Sequence, residues 1–116
     1  AVGNGLRRAG DAQGAVTAMQ AAVDAEGPPA SSALLAELAL AQRAAGRGDA
    51  ARKTLEDVLA RDEKYATAHY LLGNMLAADK RYAEAKKHYQ RYLELEPEGD
   101  HAERARERLA VVEKLD

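Results

Sequence analysis

The 116-residue sequence predicts an all-α fold of repeated antiparallel helix pairs, and three observations carry that expectation. Composition is the first: twenty-seven alanines and fourteen leucines stand against six valines, three threonines and no isoleucine, phenylalanine, tryptophan or cysteine. Alanine, leucine, arginine and glutamate lose little side-chain freedom in a helix, whereas strands draw on the β-branched and aromatic residues this chain lacks. The second is apolar spacing of helical period, as at Leu71, Leu72, Met75 and Leu76. The third is an internal repeat. Leu72, Gly73, Ala85, Tyr89 and Tyr92 fall, 34 residues earlier, on Leu38, Ala39, Ala51, Leu55 and Val58, with the small–large order kept.

A further step of 36 residues reaches Val2, Gly3, Ala15, Met19 and Ala22, the two extra residues falling in the Gly27–Ser32 turn. This divides the chain into 1–30, a truncated first repeat; 31–64 and 65–99, two full repeats; and 100–116, a capping helix. The first unit is expected to open mid-helix, turn at Gly10-Asp11 and bury Ala15, Met19, Ala22 and Val23 on a second helix. In the second unit Ser31 or Ser32 caps a helix carrying Leu34, Leu35 and Leu38. Gly46-Arg47-Gly48 then breaks the chain, and Asp49 caps a helix carrying Leu55, Val58 and Leu59. The third unit turns at Asp79-Lys80-Arg81, and Pro97 ends its second helix by interrupting the hydrogen-bond ladder. Ala102, Ala105, Leu109, Val112 and Leu115 make one narrow apolar stripe on an otherwise charged terminal helix, as the end of a repeat array requires. The chain starts without methionine and partway through a helix, so it is expected to be a piece of a longer array.

The small residues have a mechanical purpose. Helix axes approach to about 8–10 Å only where the crossing side chains are small, so Gly73, Ala39 and Gly3 are expected to meet Ala85, Ala51 and Ala15.

With Leu72-Gly73, Leu76, Ala85, Tyr89 and Pro97 at these spacings, the chain resembles the tetratricopeptide repeat family, with a composition suggesting a GC-rich bacterial genome. The middle copy diverges, with Ala39 for glycine, Gln42 for the aromatic and Glu63 for proline. The resemblance implies a right-handed superhelical α-solenoid whose first helices line a concave groove that binds a partner's peptide or helix without catalysis. Groove candidates on that basis are Asn4, Arg7, Glu37, Leu40, Arg43, Thr67, Tyr70, Asn74, Arg104 and Arg108, with His101 beside them. Asparagine amides there would pair with an extended backbone and arginines would grip carboxylates in forked pairs. The alternative is a self-associating scaffold segment that stacks through Val2 and Leu6 on an uncapped N-terminal helix. Members of the family that clamp the carboxylate tails of heat-shock chaperones use asparagine, lysine and arginine at slots that here hold Glu37, Thr67 and Leu71, so that clamp is not expected.

Chemistry is not expected from this sequence. His69, His88 and His101 lack metal-ligand spacing and have no cysteine to join them. His69 reads as a packing residue, and His88 and His101 read as surface. No nucleophile elbow, metalloprotease helix or phosphate-cradling glycine loop occurs, so no cofactor is expected. Arg47-Gly48-Asp49 reads as an interhelical turn rather than an adhesion motif. A formal charge of −2 gives no footing for nucleic acid. No apolar run nears the ~20 residues that span a bilayer. The partner is therefore expected to be a protein or peptide.

Overall fold

The computed structural model describes residues 2–27 and 30–115, with side chains from residue 11 onward. Among the described residues there is no strand. The helices, in order, are α1 (Val2–Glu26), α2 (Ser32–Ala44), α3 (Gly48–Arg61), α4 (Ala66–Ala78), α5 (Tyr82–Leu95) and α6 (Ala102–Leu115). The all-α expectation holds. The chain divides into two compact units, residues 1–58 and 59–116.

The repeat is visible in the helix bounds. α2 and α4 each have 13 residues and start 34 apart; α3 and α5 each have 14 and also start 34 apart. The turns within the pairs repeat bond for bond. After α2, the N–H of Gly46 donates to Arg43 O (3.0 Å) and that of Arg47 to Gln42 O (2.8 Å). After α4, Lys80 donates to Ala77 O (3.0 Å) and Arg81 to Leu76 O (2.8 Å). This double closure satisfies the carbonyls a helix end leaves open, and it needs one left-handed residue. Gly46 meets that need at φ 82° and Lys80 at φ 63°. A non-glycine residue there costs about 1–2 kcal/mol. The second repeat therefore keeps the turn against its own local preference.

In the first unit α1 packs on α2. Ser31 is the N-cap of α2: its hydroxyl accepts from the Leu34 N–H (3.2 Å). The Ser31 N–H in turn donates to Glu26 Oε1 (2.7 Å), tying the start of α2 to the end of α1. Ala39, Ala51 and Leu55 are fully buried, and Thr54 Oγ1 donates to Gln42 Oε1 (2.8 Å) between α2 and α3.

Two expectations for this unit are corrected. Val2–Glu26 is one continuous helix, so no turn exists at Gly10-Asp11, and Gly3 and Ala15 lie on the same helix instead of facing each other. An internal glycine costs a helix only about 1 kcal/mol relative to alanine, and alanines at 9, 12 and 15 surround this one. Ala15 is exposed, while Val16 is the buried residue of that turn. Asp49 is not a cap. α3 begins one residue earlier, at Gly48, so Asp49 sits in the first turn, where its carboxylate favours the positive helix end.

In the second unit α5 packs against both α4 and α6. The close approach of α4 to α5 is made by Gly73, but against Tyr89 rather than Ala85. A Cβ on Gly73 would lie 2.9 Å from Tyr89 Cε1 and 3.0 Å from Cδ1. The Tyr89 ring, 0 % exposed, therefore fills the space that the glycine leaves. On α6, Ala102, Ala105 and Val112 are buried as the stripe predicts, but Leu115 is exposed.

Candidate binding surfaces

The expected groove residues fall into groups with different surroundings. On α2, Glu37, Leu40 and Arg43 are exposed and follow one another at three-residue steps, which places them on one helix face. Leu40 is 46 % exposed, a large apolar side chain left in solvent between an acid and a base. Ala33 continues the same face and is also exposed.

The matching slots on α4 are more enclosed. Thr67 and Asn74 are half-buried and Leu71 is buried. Tyr89 Oη donates to Asn74 Oδ1 (2.7 Å), so the Asn74 amide has a structural partner inside its own helix pair. The slots Gly73, Asn74 and Tyr89 correspond to Ala39, Leu40 and Leu55. Where the large residue changes from tyrosine to leucine, the hydroxyl disappears and the asparagine that accepts from it disappears too. Leu40 thus has no counterpart of that internal role.

Tyr70, a groove candidate in the sequence, is buried, and so is its counterpart Ala36. Its ring stacks on His101 at 4.5 Å with an 8° tilt, and lies 5.6 Å from Tyr92 and 6.3 Å from Tyr89. His101 is held in place because its backbone N–H donates to Tyr92 Oη (2.9 Å). These aromatic faces bury apolar area around a few satisfied polar tips.

Beside this cluster is a cavity of about 340 Å³, lined by Lys64, Tyr65, Thr67, Glu96, Asp100 and His101 among others. Its mixed charges favour no single ligand sign. Arg104 and Arg108 are exposed one turn apart on α6. Arg106 donates to the carbonyl of Pro97, fastening α6 to the end of the preceding segment. Asn4 and Arg7 belong to α1, but their side chains, like those of Val2 and Leu6, lie outside the described ones.

Sequence reasoning missed a polar chain at the start of α4. His69 is buried, as expected, but half-buried His88 is not a surface residue: its Nδ1 lies 3.0 Å from His69 Nδ1. His69 Nε2 lies 2.8 Å from the Glu63 carbonyl oxygen. The Glu63 carboxylate takes a forked pair of bonds from Arg91, Nε to Oε1 at 2.6 Å and Nη2 to Oε2 at 2.8 Å. That bonding from Arg91 lowers the Glu63 carboxyl below its ordinary value and raises Arg91 above its own. Burial first, and then the neighbouring His69, lower His88. The sequence signal was two histidines on paired helices, but their spacing does not reveal that the two rings meet.

Among the described residues no group of three or more histidines, cysteines or carboxylates could hold a metal ion. No helix among them is long and apolar enough to cross a membrane. A tetratricopeptide repeat profile matches residues 3–52 and 36–103, overlapping over 36–52, from within α2 into the start of α3. The search of curated proteins gives no match.

Proposed function

The chain belongs to the tetratricopeptide repeat family, whose repeats generally mediate protein–protein interaction, and from that premise we propose that it is a non-catalytic module that receives a partner's peptide or short helix on its first-helix faces. The observation that supports this reading is the α2 face. Leu40 is 46 % exposed and is flanked by Glu37 and Arg43. An apolar anchor between opposite charges suits a partner segment that offers one apolar side chain in register with charged ones. On α4, Thr67 and Asn74 are the half-buried polar members of the corresponding row. Asn74 contributes less than its residue type suggests, because Tyr89 occupies its Oδ1. Within the second unit, Arg104 and Arg108 give α6 an exposed cationic face of its own.

The test is selection of binders from a displayed random-peptide library, followed by titration of one selected peptide. Leu40→Glu and Arg43→Glu are each expected to weaken its affinity about tenfold or more, equivalent to ~1.4 kcal/mol. Lys53→Ala, which removes an exposed charge from α3, should leave affinity unchanged. Equal loss at all three positions, or loss at Lys53 alone, would place recognition elsewhere.

A further inference from the structure

His69 and His88 meet nitrogen to nitrogen, and the rest of the site dictates where the protons go. His69 Nε2, 2.8 Å from the Glu63 carbonyl oxygen, must be an N–H because a carbonyl only accepts. In neutral His69 the Nδ1 is then a bare acceptor. His88 Nδ1, 3.0 Å away, must donate to it. The closed pair can take one more proton, at His88 Nε2, and keep this bond. A second would put hydrogens on both Nδ1 atoms and set two N–H groups head to head.

We propose that His69 and His88 form an acid-sensitive latch, able to bind one added proton while closed and two only when open. Closed, it joins α4 to α5 and, through the Glu63 carbonyl, to the segment leading into α4. Burial makes the exclusion effective: the His69 side chain is 7 % exposed, so water cannot readily take the place of the lost bond.

From the segment before α4, the Glu63 carboxylate lies 3.7 Å from His69 Nε2, with Lys64 next to it. From α5, Arg91 is already paired with that carboxylate, offsetting its pull on His69. Glu84, also on α5, favours charged His88, but burial and His69 act more strongly in the other direction. The sign follows. In the unfolded chain His69 and His88 titrate independently at ~6.5, so below that pH they bind more protons than the closed pair does. Stability contributed by the latch is fully present above this window and is lost as pH falls through it. The folding equilibrium constant should fall by up to about tenfold per pH unit for each excluded proton.

The test combines imidazole ¹⁵N titration of the whole chain from pH 8 to 5 with urea unfolding at pH 7.5 and 5.5. Two coupled rings that together take up one proton while folded, with a lower unfolding midpoint at pH 5.5, are expected. His88→Gln, whose amide can turn its carbonyl oxygen to accept from a protonated His69 Nδ1–H and so lets His69 take up its proton while closed, should lose most of that midpoint shift. Two rings titrating independently to full charge in the folded chain would overturn the proposal, as would an undiminished shift in His88→Gln. Should that variant fail to fold, the titration of the unaltered chain decides alone.

Discussion

Tyr89→Ala is expected to remove about 3–5 kcal/mol of unfolding free energy, the range for truncating a large buried aromatic residue. Tyr89 has no exposed surface, lies against Gly73 across the α4–α5 approach, and donates to Asn74 at 2.7 Å. Removing the ring leaves a cavity between two helices and deprives Asn74 of its donor. Neither loss is easily repaired. Tyr82→Ala, at a half-buried position at the start of α5, serves as the comparison and should cost much less. The measurement is equilibrium urea unfolding. A cost below about 1 kcal/mol for Tyr89→Ala would mean that the ring does not hold the pair together, whatever its burial.

Gly73→Leu is expected to cost about 1–3 kcal/mol or more, even though leucine is the better helix former by close to 1 kcal/mol. The first added carbon alone would stand 2.9 Å from a ring carbon of Tyr89, and a fully buried ring has no room to retreat. The chain itself indicates how the cost can be relieved. In the preceding repeat the same two slots hold Ala39 and Leu55, the first larger than glycine and the second smaller than tyrosine. Gly73→Ala should therefore be less costly in a Tyr89→Leu background than alone, giving a favourable coupling in a double-mutant cycle. Strict additivity, or a Gly73→Leu chain as stable as the original, would show that the approach is not set by these two residues.

The portion of the fold legible in the sequence was the portion that is repeated. Helices α2 to α5 could be read because small and large residues recur in one order and because turn residues interrupt the pattern at matching places. The α1 region differs because Gly10-Asp11 resembles Gly48-Asp49, which follows a real turn. A glycine followed by an acid permits a turn but does not compel one, and the alanines around it carry the helix through.

The binding surface was less legible than the fold. Tyr70 is a groove candidate by its slot, but residue spacing does not reveal that His101, from the chain after α5, lies flat against its ring. Asn74 was read as a ligand-facing amide for a similar reason: its hydrogen-bond partner is fifteen residues away and differs in kind between repeats. Leu40 survives as a candidate because it is 46 % exposed. The His69–His88 contact depends on ring orientation, which residue spacing does not encode.

Backbone NMR assignment tests most directly whether residues 32–61 and 66–95 are two copies of one helix pair. Helical shifts are expected over 32–44, 48–61, 66–78 and 82–95, with left-handed dihedrals at both Gly46 and Lys80. Helical shifts running unbroken through 45–47 or 79–81, or breaks not 34 residues apart, would contradict it.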